Sequence, residues 1–128
     1  MCRRCWIRRA CALLVFGCSS LSAAADGDWH YTIDQARERQ QANFCNSSAS
    51  VEKIAGIFES SGPRAGYSAL SGSADCAIAV HTFTPRRVLR AVTNSEGKPG
   101  EYVVRFVEVE NARGQVMYLV TTRDVVAQ

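Results

Sequence analysis

Acidic residues are missing from the first 25 positions, which carry four arginines, Arg3, Arg4, Arg8 and Arg9. Setting that stretch aside leaves 11 basic and 12 acidic residues in 26–128, a net of −1 in place of the whole chain's +3. The overall basic balance therefore does not describe the folded part, and no nucleic-acid partner is expected, because phosphate binding needs a clustered basic surface. Long apolar runs are missing as well. The leading one, Ala10 to Gly17, covers eight residues, against the ~20 that a membrane-spanning helix requires. Several motifs are absent or incomplete. Ser71-Gly72-Ser73 lacks the Gly-x-Ser-x-Gly pattern of a nucleophile elbow. Gly62 and Gly66 have no Lys-Ser/Thr after them to cradle phosphate. Asp26-Gly27-Asp28 has no downstream Glu for a calcium loop. Cys2 and Cys5 are spaced like half of a zinc site whose second half is missing. The whole chain is 47% hydrophobic, which excludes a disordered chain, and residues 26–128 suffice for one small globular domain.

The start of the chain has a basic segment, a short apolar segment and then Ser-Leu-Ser-Ala-Ala-Ala. That order predicts a secretory signal peptide over 1–25, cut after Ala25, with Ala23 and Ala25 as the small residues the peptidase requires. The mature domain, 26–128, is then periplasmic and has no transmembrane helix. The alternative is a membrane-anchored lipoprotein with its lipid anchor at Cys18. Val15-Phe16-Gly17 before it resembles a bacterial lipobox, with bulky Phe16 departing from the pattern.

Processing leaves two cysteines, Cys45 and Cys76. An even number in an exported chain predicts a disulfide. It would close a loop of about 32 residues, with a chain-entropy contribution of about 3–4 kcal/mol. With both thiols committed, His30 and His81 are too few for a metal site of three or four ligands. No metal and no cofactor are expected.

Thr32-Ile33-Asp34-Gln35 has the form of a capping box, and the Gln-, Arg- and Glu-rich stretch after it predicts an exposed helix from Ile33 to Phe44. Val51, Ile54, Ala55 and Phe58 recur at helical spacing; Ser50 can cap this second helix and Gly62-Pro63 end it. Residues 60–75 read as a long Ser/Gly/Ala loop with a short strand near Tyr67–Leu70. From Cys76 the period changes to two. Ile78, Val80 and Thr82 alternate with Ala79, His81 and Phe83, and Val88 to Val92 is a second strand, unless Thr84-Pro85 opens a short helix. A turn runs from Asn94 to Gly100. Tyr102 to Glu110 is the strongest strand. Val104 and Phe106 share one of its faces, Val107 and Val109 the other, which predicts two buried faces or a bulge near Phe106. Asn111 to Gly114 is a hairpin turn with Gly114 in a left-handed position. Val116 to Thr121 pairs back, and Asp124 to Val126 closes the chain.

This layout is α+β: one or two N-terminal helices packed on a four- to five-strand antiparallel meander. Residues 84–126 resemble the order of a bacterial SH3-like barrel: a Pro-led strand, a loop, a hairpin and a short terminal turn. Thr84-Pro85, Val88-Leu89 and Gly114 to Val126 carry the resemblance, which implies a meander closed as a small barrel.

Few residues offer chemistry. His81 is a strand residue that could serve a small hydrolase only with a site assembled in space. Glu108 and Glu110 lie on one strand face, about 7 Å apart by strand rise, a spacing typical of a solvated face. Arg86, Arg87 and Arg90 form the densest positive cluster; in a regular strand Arg86 and Arg90 share a face and Arg87 points away. Arg86 and Arg90 are the candidate partner contacts, and Trp29 and Tyr31 pack on the sheet or serve as a handle. The sequence therefore points to a non-catalytic binding or assembly module of the bacterial cell envelope, meeting an envelope protein or cell-wall component. The alternative is a small hydrolase near His81.

Overall fold

The computed structural model describes residues 29–94 and 102–128. The predicted signal peptide, Cys18 and the predicted turn beyond Asn94 lie outside the described residues.

The chain enters through β1 (His30–Thr32). The sequence expected to cap a helix instead forms a tight turn. Gln35 N donates to Thr32 O at 3.1 Å, Ile33 N to Val126 O at 2.9 Å, and Asp34 sits at φ 66, a left-handed conformation that Asp tolerates. The next element is a strand, β2 (Arg37–Cys45), where a helix was expected. Helix propensity amounts to a few tenths of a kcal/mol per residue. It is outweighed here by burial of Phe44 and Cys45 and by ladders to neighbouring strands on two sides. Arg39, at φ 46, lies in the bulge that shifts the β2 register between Arg37 and Gln40.

The described residues contain one helix, α1 (Ser48–Gly72). Its cap is Ser47, whose side chain accepts from Ser50 N at 3.2 Å, and not Ser50 itself. Gly62-Pro63 ends the first arm, as the sequence suggests. Gly62 takes φ 88 and ψ 177, a region open essentially only to glycine, and Pro63 suits the first turn of a new arm. The helix then resumes to Gly72, so the expected loop and short strand within 60–75 are helical. The two arms close on Phe58, whose ring stands edge-on to Tyr67 at 4.9 Å and to Phe106 at 5.8 Å.

The remaining strands are β3 (Cys76–Asn94), β4 (Tyr102–Asn111), β5 (Val116–Thr121) and β6 (Asp124–Val126). The two predicted strands after Cys76 are one continuous, bent β3. Its first half pairs with β2 and its second half with β4, all antiparallel. The hairpin carries β4 into β5 through Gly114 at φ 81, and β5 pairs back to β2 over Asn43–Cys45. The four strands thus run in the ring order β2-β3-β4-β5, and β1 and β6 form a separate parallel pair.

The slipped alternation of β4 marks two buried faces. Val104 and Phe106 join Val51, Ile54, Ala55, Phe58 and Leu70 in a core between helix and sheet. Val107 and Val109 join Tyr31, Phe44, Phe83, Met117 and Leu119 in a second core that draws on every strand of the ring. The bulges lie on the partner strand: the β3 register shifts between Pro85 and Arg87 and again between Val88 and Arg90.

Cys45 and Cys76 are joined, with Cα atoms 4.0 Å apart. They are direct cross-strand partners, so the bond ties β2 to β3, not a helix to the sheet, and closes the excursion that contains α1.

Candidate functional site

The sheet's outer face carries α1 over one part and is bare over another. Cross-strand partners share a face, so the β3 residues on Cys76's side are Ile78, Val80, Thr82 and Thr84. Ile78 is 65% exposed and Val80 47%. The large side chains point out and the small Ala79 packs inward, because the narrow ring is already filled by Phe44, Phe83, Met117 and Leu119. Ala79 lies opposite Ala42, where two small residues let the strands close.

The bulges decide where the arginines go. Arg87 pairs in register with Glu108, and Arg90 with Phe106. Arg87 and Arg90 therefore share the outer face despite their odd spacing, which differs from the regular-strand expectation. Arg86, in the bulge, donates to Asp34 Oδ1 at 2.8 Å and to Glu110 Oε1 at 3.1 Å. The Asp34 bond first, and then the Glu110 bond, holds its guanidinium above its ordinary pKa. Arg87 reaches Glu108 at 3.1 Å. Arg90 bonds Glu59 and lies 3.9 Å from Glu52, both on α1. Glu108 and Glu110 are thus partners of arginines, and the Arg cluster is an alternating ion-paired row along the end of the bare face.

Tyr31 is buried and packs on Phe83 at 5.5 Å, with the guanidinium of Arg37 5.1 Å from its ring centre and that of Arg123 at 5.3 Å. Trp29 stands 81% exposed. His30 enters β1 and accepts from Arg37 through its carbonyl at 2.7 Å.

His81 lies on the inner row of β3 at the end of the ring, its imidazole edge-on to Phe44 at 4.8 Å. It lines a cleft of about 390 Å³ with Asn46, Asn111, Arg113, Gln115 and Met117, and an adjoining recess of about 100 Å³ that includes Asp75. The lining of both is amide, guanidinium, carboxylate and apolar, with no hydroxyl and with Cys76 held in the disulfide. Among these lining residues His81 has the Asp75 carboxylate in the adjoining recess but no hydroxyl and no free thiol beside it. Among the described residues no group of three or more His, Cys, Asp or Glu is placed to hold a metal.

Asp75 organises the rim. Its Oδ2 accepts from Ser47 N at 3.0 Å and Ser47 Oγ at 2.8 Å, and its carbonyl from Asn46 N at 3.0 Å. Hydrogen bonding from the Ser50 side chain first, and then from Ser47, holds its carboxyl below the usual aspartate range. Of these residues the sequence offers only His81 for chemistry, and nothing in it places Asn46, Arg113 and Gln115 beside His81. Only the β2–β5 pairing brings the end of β2 beside the β4–β5 hairpin, and no local pattern signals it. A third cleft, also about 390 Å³, lies between the two arms of α1 and is lined by Lys53, Ile54, Ile57 and Ala69.

No protein-family profile matches the chain, and no curated protein or solved structure is significantly similar to it.

Proposed function

We propose that the chain is an exported, disulfide-stapled, non-catalytic binding or assembly module of the bacterial cell envelope, acting in the periplasm through the outer face of β3. The observation that carries this reading is the exposure of Ile78 and Val80 in one row with Thr82 and Thr84. Large apolar side chains standing together on a sheet face suit a protein contact. Arg86 and Arg90 form its cationic rim, where a partner's carboxylates exchange with Asp34, Glu110 and Glu59. The disulfide fits an oxidising compartment, and no helix among the described residues is long and apolar enough to cross a membrane. In this reading the ring is an SH3-like barrel with α1 inserted between its first two strands, and the chain is cut after Ala25.

A photo-crosslinking side chain placed at Ile78 in living cells tests the contact. A discrete adduct with one envelope protein or cell-wall fragment is expected from position 78 and not from Arg64, an exposed residue on α1. The same products from both positions, or none from 78, would overturn the reading. Mass spectrometry of the native chain should find an N-terminus at Asp26; a diacylglyceryl mass on Cys18 would make it a membrane-anchored lipoprotein instead.

A further inference from the structure

We propose that the cleft at the end of the strand ring is a binding site for a small organic carboxylate that also carries an apolar group. Its polar groups are unevenly matched. Asn111 is tied into its own turn: Oδ1 accepts from Arg113 N and Gln115 N, both at 2.9 Å, and Nδ2 donates one hydrogen to Gln115 Oε1 at 3.1 Å. Gln115, whose Oε1 is taken by Asn111, still has its Nε2 donor and lines the cleft. Asn46 Nδ2 gives one hydrogen to Asp75 O at 3.3 Å and keeps a second. Among the described residues the Arg113 guanidinium has no acidic partner and the His81 ring nitrogens have no hydrogen bond, although both line the cleft.

The donors therefore outnumber the acceptors, and no Asp or Glu lines this cleft. Asp75 lines the neighbouring recess, with its Oδ2 already held by Ser47, and Glu110, next to Asn111, is held by Arg86. An anionic oxygen ligand balances such a site. A guanidinium fork with adjacent N–H donors matches the planar, two-oxygen geometry of a carboxylate. Val116 and Met117 supply the apolar wall, which suits a ligand with a hydrocarbon portion better than it suits bare phosphate. A volume of about 390 Å³ lies within the ~300–1,000 Å³ of clefts that hold small molecules. The mouth of a strand barrel is also a recurrent place for such clefts. The site is distinct from the outer face of β3 and does not depend on it.

The test uses the purified native protein with its disulfide intact and three probes: N-acetyl-leucine, its uncharged amide and inorganic phosphate. N-acetyl-leucine should shift the backbone amide resonances of His81, Arg113 and Gln115 saturably, with a Kd of about 1 mM or tighter. The amide and phosphate should bind at least about tenfold more weakly, a difference of about 1.4 kcal/mol. Arg113→Gln should abolish the shifts without changing Tm, because Arg113 lies exposed in the hairpin turn, and Arg113→Lys should restore them in part. Equal binding of the amide would overturn the carboxylate assignment. Stronger binding of phosphate would overturn the ligand class. Binding unaffected by Arg113→Gln, or no saturable shift, would overturn the site. None of these results bears on crosslinking from position 78.

Discussion

Asp75 shows how one side chain can hold three elements. It follows α1, precedes β3 and bonds the residues that leave β2, so its carboxylate closes the neck from which the helical excursion emerges. The same bonds couple stability to pH. The folded protein holds the Asp75 pKa below that of the unfolded chain, so its contribution is present above the ordinary aspartate value of about 3.9. It is lost as pH falls through the lower folded value. Asp75→Asn should therefore lower the urea midpoint at pH 7. It should also lose less further stability than wild type between pH 4 and pH 2. Parallel acid profiles for the two proteins would show that the bonds to Ser47 and Ser50 carry no such coupling.

At the scale of elements, α1 exists as two arms because Gly62 breaks it and Phe58 fills the angle between them. Gly66 faces that ring. A Cβ built there would lie 2.4 Å from Phe58 Cγ, and Tyr67 and Phe106 hold the ring in place. Gly66→Ala should therefore destabilise by about 1–3 kcal/mol through overpacking, against a propensity gain of up to about 1 kcal/mol. Gly56→Ala, where a Cβ meets nothing within 4 Å, should stabilise by about 0.5–1 kcal/mol. Opposite shifts in Tm for these two substitutions are the expected result, and equal signs would place Phe58 elsewhere. The same region shows what the sequence can reveal. Val51, Ile54, Ala55 and Phe58 announce the first arm by spacing, and Gly62-Pro63 announces its end. The second arm is hidden because Ser, Gly and Ala carry no apolar stripe; its burial comes from Gly66 folding back on Phe58 and from Leu70 joining a core with Val92, Val104 and Phe106, distant in the chain. β2 is misread for the converse reason, since its Gln, Arg and Glu residues favour a helix while its pairing partners lie far away in sequence. β4, β5 and the Gly114 turn are legible because their signals are local. Of the candidate site, the pattern around His81 reveals the strand but not the cleft, which depends on ring closure.

At the scale of the whole molecule, one sheet serves two cores, and the disulfide belongs to the one between sheet and helix. Cys45 is fully buried among Val51, Phe58, Phe106 and Val120, while its neighbour Phe44 faces the ring interior. Displacing the end of β2 would therefore disturb both cores together. It would also break the Asn43–Cys45 pairing that closes the ring and open the cleft at its end. The bond spans a sequence separation of 31, and in the chain-entropy account its removal costs about 3–4 kcal/mol. A domain of about 100 residues shifts its Tm by roughly 4–8 °C per kcal/mol. Reduction, or the Cys45→Ala plus Cys76→Ala pair, should thus lower Tm by more than about 10 °C. Loss of far-ultraviolet circular dichroism and of buried-tyrosine absorbance should coincide, because helix packing and the ring interior share β2. If helix signal were lost on reduction while Tyr31 stayed buried, the two cores would be independent, and the bond would stabilise only the layer between α1 and the sheet.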